Sequence, residues 1–353
     1  MFLETSIPKL GEFMLFGALP IPTEIFLMIF GFILLIKGGD WFVDASVGIA
    51  KRFGLPELLI GATVVSIGTT LPEVLTSVFA ATGGSGGIAY GNAIGSIICN
   101  TSLIAAITIA VKPGKVDRKT LIFPVAAFFA AAVFYALNAY IGKRFDLWAG
   151  VVLLVGFVVY MVINVINMKK NPEQAEVELP EELPEGGDKP SNGAFVKDIL
   201  MLIVGAATIA VGASLLATNA ESVAVNYLNM DPVIVGVTVV ALGTSLPELV
   251  TAITSLMKGH GSLSLGNVIG ANIFNLVLVS GAAITIAPFE LPSGITLGGI
   301  PASLIIDIPL VFITMGIMTI PTIIKGKLSR WQGVALLGIY AAFIASQAIL
   351  GFM

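Results

Sequence analysis

The sequence predicts an all-α polytopic membrane protein. It would have ten transmembrane helices in two inverted-topology five-helix repeats, with helices 2 and 7 broken. Three observations lead there. Hydrophobic residues make up 56% of the chain and charged residues 11%, with mean hydropathy +0.99, whereas soluble domains carry roughly a quarter charged residues. The 353 residues are enough for about ten spans of roughly 20 residues with short loops. And one phrase is written twice: Gly61 to Glu73 (GATVVSIGTTLPE) returns as Gly236 to Glu248 (GVTVVALGTSLPE), each copy followed at the same distance by a second phrase, Gly91 to Asn100 (GNAIGSIICN) and Gly266 to Asn275 (GNVIGANIFN).

Residues 1–22 read as an interfacial lead-in. They lack the basic start of a signal peptide. An apolar stretch from about Glu24 to Ala50, interrupted at Lys37-Gly38-Gly39-Asp40, is too long for an upright span and predicts one tilted or kinked helix. The second span, about 56–81, carries the first Pro-Glu phrase, and the third, about 88–111, carries Gly91 to Asn100. A basic turn with Lys112, Lys115, Arg118 and Lys119 leads to spans at about 120–140 and 147–167. From Asn171 to Asn192 the chain changes character, with seven acids, several prolines and no apolar periodicity. That composition predicts a flexible linker. The second half then repeats the first, with spans at about 195–218, 232–257, 263–287, 300–323 and 331–351. The organisation is a first membrane repeat over 1–168, an acidic linker over 169–194 and a second repeat over 195–353.

Five spans per half is an odd number, so two homologous halves insert with opposite orientation. Charge supports this. With the N-terminus outside, fourteen Lys and Arg fall in inside loops or near inside span ends, and only Lys9, Lys143 and Arg144 fall outside, a clear positive-inside signal. Both termini are then outside, and the acidic linker is cytoplasmic. The expected location is the cell membrane. A single cysteine, Cys99, excludes a disulfide framework. Cys99 reads as packing, and the lone His260, between two glycines, as a solvated loop residue. Nothing points to nucleic acid, to a cofactor or to an enzyme, and a monomer is expected.

The chemistry lies in the repeated phrases. A carboxylate deep in a bilayer is unfavourable by roughly 2.5–3.5 kcal/mol on insertion scales. Glu73 and Glu248 both incur this at matching positions, and inversion brings matching positions together at the midplane. Two close buried carboxylates repel or share a proton unless a cation lies between them. Pro72 and Pro247 remove backbone donors, freeing the carbonyls of Gly68 and Gly243 and loosening those of Thr69 and Thr244. Thr70 and Ser245 share a helical face with the glutamates. Ser96 and Asn100 share a face of the following helix; Asn275 matches Asn100, but Ala271 stands opposite Ser96. All candidate ligands are oxygens, which suits Ca²⁺ rather than Zn²⁺ or Cu. A proline in a membrane helix is often only a kink, and Ser or Thr often bonds its own backbone. Two copies in register, each with a buried glutamate, favour function. Gly91/Gly95 and Gly266/Gly270 read as close helix packing. Asp40 and Asp44 are membrane-embedded or near-interface acids, and so is Asp307, which has no counterpart in the repeated phrases.

These residues carry a resemblance. Gly-Thr-Thr-Leu-Pro-Glu (68–73) and Gly-Thr-Ser-Leu-Pro-Glu (243–248), each followed by Gly-Asn-x-Ile-Gly, look like the two α-repeats of sodium/calcium exchangers in the cation/Ca²⁺ antiporter superfamily, prokaryotic members included. The resemblance implies an antiporter exchanging Na⁺ for Ca²⁺ by alternating access. Glu73 and Glu248 would be shared Ca²⁺ and Na⁺ ligands, and Thr69 and Thr244 would give carbonyls to Ca²⁺. Thr70, Ser96 and the Ser66 carbonyl would form one Na⁺ site, and Ser245 with the Ala241 carbonyl its mirror. Asn100 and Asn275 would line the middle, and helices 1 and 6 would slide to alternate access. Two departures matter: Ala271 replaces a frequent serine, weakening one Na⁺ site, and Asn275 stands where K⁺-dependent members carry Asp. The alternatives are proton-driven Ca²⁺ exchange and, less favoured, K⁺-dependent exchange. An intramembrane aspartyl protease would need two aspartates, and a passive channel would need no counter-ion gradient.

Overall fold

The computed structural model describes residues 19–53, 57–170, 192–228, 243, 245–293 and 296–351. These fold into helices joined by short turns. In chain order they are α1 Ile21–Phe53, α2 Leu58–Thr82, α3 Gly86–Val111, α4 Arg118–Gly142, α5 Leu147–Lys170, α6 Asn192–Ser222, α7 Leu246–Met257, α8 Gly261–Ile286, α9 Ser303–Lys325 and α10 Arg330–Gly351. Eight helices, α1 to α6 with α8 and α9, are long and apolar enough to cross a membrane. Residues 229–242 and 244, before α7, lie outside the described residues, and α7 is described over 12 residues.

The helices sort into a body and a blade. The body's core is built from α3, α4, α5, α8, α9 and α10, with residues such as Phe128, Tyr135, Phe274 and Met315 fully enclosed. In α3 and α8, 72% and 78% of the apolar window is buried, against 22% in both α1 and α6. α1 and α6 instead pack on one another, with a separate apolar cluster of Leu35, Phe42, Val43 and Ile209 that touches α2 through Ile60 and Val65. A Cβ on Gly31 would lie 2.8 Å from the Gly212 carbonyl, and one on Gly38 3.0 Å from the Gly205 carbonyl. Reversed order of the partners makes the pair antiparallel, and missing side chains let the backbones touch. The outer face of α1 shows Phe26, Ile29, Phe30, Phe32, Ile33 and Ile36, a surface suited to lipid.

α1 runs unbroken through Lys37-Gly38-Gly39-Asp40. Its 33 residues span about 50 Å at 1.5 Å per residue, more than a bilayer core of about 30 Å. The expected break in helix 2 is absent: α2 continues through Pro72 as helix. Its irregularity lies about two to three turns earlier, in a π-helical turn at Gly61–Val65, where the Gly61 carbonyl accepts from both the Ser66 N–H and the Ser66 hydroxyl (2.7 Å). α7 begins at Leu246 with Pro247 in its first turn, where a missing N–H leaves nothing unbonded. α3 and α8 each widen into a π turn at the matching asparagine, Asn100–Ala105 and Asn275–Val279. Such turns recur at functional sites.

The turns after α2 and α7 share one geometry. Gly84 and Gly259 adopt φ of +79° and +89°, and Ser85 and His260 N–H groups bond back five residues to the Ala80 and Ser255 carbonyls. A left-handed glycine closing a helix this way is a Schellman turn. Loops tie the ends of the body. β1 (Arg144–Phe145) pairs with β2 (Phe289–Glu290) at one end, beside the hairpin β3–β4 (Thr296–Leu297, Ile300–Pro301). A backbone bridge between Lys115 and Lys327 joins the α3–α4 and α9–α10 loops at the other.

Candidate ion-binding site

α2 is amphipathic in reverse. Leu71, Leu75 and Phe79 are exposed, while Ser66, Thr69, Thr70, Glu73 and Ser77, spaced three or four apart, are buried. That spacing is one helical face, and it points inward because hydroxyls and a carboxylate cannot face hydrocarbon cheaply. α7 repeats the pattern with Ser245, Glu248, Thr251 and Ser255. α2 and α7 meet α3 and α8, whose Ser96, Asn100, Asn267 and Asn275 are likewise buried.

The two faces converge. Glu73 and Glu248 are 1% and 0% exposed and lie within direct interaction range of each other, with Thr69 and Thr70 facing Glu248. Among the described residues, all four carboxylate oxygens, the Thr70 and Ser245 hydroxyls and both amide ends of Asn100 and Asn275 have no hydrogen-bond partner. Buried polar groups are nearly always bonded. A concentration of unbonded oxygens around two carboxylates has the chemistry to hold a hard cation. The formal charge of −2 matches one divalent ion or two monovalent ones.

The structure brings together Glu73, Glu248, Thr69, Thr70, Ser66, Ser245, Ser96, Asn100 and Asn275 on the facing surfaces of these four helices. Thr244 and Ala241 lie outside the described residues. The Thr69 hydroxyl donates to the Asn267 side-chain oxygen at 3.4 Å. Ala271, buried on α8, offers no oxygen from its side chain. Cys99 receives a hydrogen bond from the Tyr340 hydroxyl at 3.8 Å, in keeping with a packing role.

Two residues escaped the sequence reading. Asn92 on α3 donates to the Glu73 carbonyl (3.2 Å) and to the Ser77 hydroxyl (2.9 Å). Asn267 on α8 accepts from the Ser66 and Thr69 hydroxyls through its side chain (3.4 Å each), and its carbonyl accepts from Ser66 at 3.0 Å. Both asparagines therefore hold α2. The signal was present, since each follows the glycine that opens the second phrase in both copies. The neighbouring glycines of the second copy serve close packing as expected: a Cβ on Gly266 would lie 2.1 Å from the Leu58 carbonyl, and one on Gly270 2.3 Å from the Ser66 hydroxyl. Gly91 and Gly95 meet no described atom within 4 Å.

Outside the site, Lys258, just past α7, bridges to Asp44 (2.7 Å) and Asp40 (3.3 Å) of α1. Asp307 is hydrogen-bonded by Gln347 at 3.3 Å. Among the described residues no cluster of three or more His, Cys, Asp or Glu forms a metal centre.

Comparison with known proteins agrees with this geometry. A family profile described as "Sodium/calcium exchanger protein" matches residues 23–166 and 197–348. The "Sodium/calcium exchanger MaX1" of Methanosarcina acetivorans is 30% identical over 357 residues, covering 92% of this chain and 98% of that protein. An "Uncharacterized membrane protein MJ0091" of Methanocaldococcus jannaschii is 35% identical over 322 residues, covering 90% and 95%. A solved structure of the sodium-calcium exchanger NCX_Mj, soaked with zero Na⁺ and Ca²⁺, superposes with a TM-score of 0.77 at 31% identity, covering 93% of this chain and 99% of that one.

Proposed function

The chain belongs to the sodium/calcium exchanger family, and from that premise we propose how its residues perform the exchange. It is a multi-pass membrane transporter, not an enzyme, and it exchanges Na⁺ for Ca²⁺. The ions bind between Glu73 and Glu248. The observation that carries this is the four buried carboxylate oxygens without a partner among the described residues. Ca²⁺ takes both carboxylates with the Thr69 and Thr244 carbonyls. One Na⁺ takes Glu73 with Thr70, Ser96 and the Ser66 carbonyl; the other takes Glu248 with Ser245 and the Ala241 carbonyl. Asn100 and Asn275 line the space between. A third Na⁺ would leave the site at +1, so it binds weakly unless carbonyls compensate.

The ten helices form two inverted five-helix repeats, counting α7 and α10 as spans. Three features support this: the phrases recur at one spacing, the Gly84 and Gly259 turns share one geometry, and the glycine pairs of α1 and α6 cross reciprocally. The α1–α6 blade, thinly buried and packed mainly on itself, slides over the body to open the site to one side at a time. The Lys and Arg distribution puts the Lys115–Lys327 end and the acidic linker in the cytoplasm and both termini outside a cell membrane. The protein works as a monomer in the bilayer.

The test is Ca²⁺ uptake into proteoliposomes under imposed Na⁺, K⁺ and H⁺ gradients in turn. An outward Na⁺ gradient drives uptake, and a K⁺ gradient changes nothing. Uptake driven by a pH gradient and indifferent to Na⁺ would overturn the Na⁺ coupling.

A further inference from the structure

We propose that the cavity at the start of α8 is a phosphate-binding site that takes the headgroup of an anionic lipid from the Lys/Arg-rich side of the membrane. The cavity holds about 220 Å³, several times the roughly 30 Å³ a water occupies in the liquid. Its lining includes Lys112, Gly114 and Lys115 from the α3–α4 loop, Ser262 and Ser264 from the first turn of α8, and Thr108.

Four observations fit an anion here. The first N–H groups of α8, from Gly261 to Leu263, have no acceptor within the helix, and Ser264 is the first to bond back, to the His260 carbonyl. They carry the positive end of a helix dipole, which is a ready anion cradle. The Ser264 hydroxyl, 2% exposed, has no partner among the described residues. Lys112 and Lys115 line the cavity and form no ion pair among the described residues. Finally, the backbone bridge holds Lys115 directly opposite Lys327, and a second hollow beside it is lined by Lys115, Lys327 and Arg330. Like charges facing each other across a strand pair repel. The nearby acid, Asp117, is already engaged in capping α4. An anion relieves that repulsion.

The positive-inside rule accounts for lysines on this face, but not for the cavity or for an unpartnered buried hydroxyl on a residue that lines it. The opposite end of the molecule gives a contrast. There Gly86 opens α3 as Gly261 opens α8, and a Cβ on Gly86 would lie 2.3 Å from Phe289. That helix start is plugged by an aromatic ring, whereas Gly261 meets no described atom within 4 Å. The cavity adjoins the span ends Val111 and Gly261, at headgroup level, which favours a lipid phosphate over free phosphate.

The experiment is native mass spectrometry of the full-length protein in detergent mixed with phosphatidylglycerol and phosphatidylcholine. In parallel, thermal midpoints are measured with phosphatidylglycerol or inorganic phosphate alone. The wild type retains phosphatidylglycerol selectively and is stabilised by it. Lys112→Ala/Lys115→Ala weakens retention by roughly tenfold or more, the factor expected for two lysines near a charged membrane. Ser264→Ala weakens it less and serves where the double variant does not fold. Lys119→Ala, on the same face outside the cavity, retains the wild-type level. Equal retention by the wild type and the double variant overturns the site. An equal loss in Lys119→Ala overturns the cavity in favour of diffuse surface charge. Stabilisation by inorganic phosphate that equals the lipid's overturns the headgroup as the source.

Discussion

Replacing Glu248 by glutamine keeps the shape of the side chain and removes one of the two charges. At about 4 Å, two unit charges interact by about 4 kcal/mol at an effective dielectric of about 20. A divalent ion loses about twice that, and a monovalent ion about that. Glu248→Gln thus costs Ca²⁺ about 4 kcal/mol more than Na⁺, approaching a thousandfold change in relative affinity. The full effect is expected because Glu248 is 0% exposed, so water does not screen the loss. The same substitution removes a buried charge that has no partner among the described residues. The ion-free protein should gain stability, up to about 2.5–3.5 kcal/mol on insertion scales. Thermal unfolding in detergent reads both effects. In the wild type Ca²⁺ raises the midpoint, since a ligand at a hundred times its Kd adds about 2.7 kcal/mol. In Glu248→Gln the ion-free midpoint rises, the Ca²⁺ response is lost and part of the Na⁺ response survives. Ca²⁺ uptake into proteoliposomes is abolished. Near-normal Ca²⁺ uptake, or equal loss of both ion responses, would refute the pairing of the two glutamates around the ion.

Other expected outcomes follow from the same geometry. Ala271→Ser restores a hydroxyl opposite Ser96, and the Na⁺ concentration for half-maximal exchange should fall about fivefold, the worth of one hydrogen bond near 1 kcal/mol; an unchanged Na⁺ dependence would show that α8 does not touch Na⁺ there. Lys258→Ala releases α1 from the α7–α8 turn. The partly exposed bridge to Asp44 and Asp40 is worth about 0.2–1 kcal/mol, so exchange rates should shift up to about fivefold while ion affinities stay put. Gly266→Ala drives a methyl into the Leu58 backbone carbonyl, 2.1 Å away, and should destabilise the protein by about 1–3 kcal/mol or more. Gly156→Ala, with no described atom within 4 Å, should leave the midpoint unchanged.

Much of the fold was legible in the sequence because its signals are local. Each described helix overlaps an apolar run, since a bilayer demands about 20 apolar residues wherever the chain crosses. Helix 6 runs past its expected end near 218 and reaches Tyr227 through a π turn at Val223–Tyr227. What misled was Pro72. Its missing N–H predicted a broken helix, yet the helix runs on through it, and the irregularity falls at Gly61–Val65. There the Ser66 hydroxyl donates to the Gly61 carbonyl, and α8 presses on Gly61 and Ala62. That pressure comes from residues about 200 positions away, which no local pattern reveals.

By itself the sequence determined that the chain lives in a membrane, that it repeats, and that Glu73 and Glu248 stand at matching places within apolar runs. Hydropathy, spacing and the unfavourable burial of a carboxylate suffice for that. Tertiary structure decided which helices those glutamates share. It hydrogen-bonded Asn92 of α3 and Asn267 of α8 to α2, paired α1 with α6 apart from the body, joined Lys258 to α1, and brought Lys115 against Lys327. Each of these links residues distant in sequence, or helices that must first fold back on each other. Their physical cause is the packing of particular surfaces, which exists only once the chain is folded.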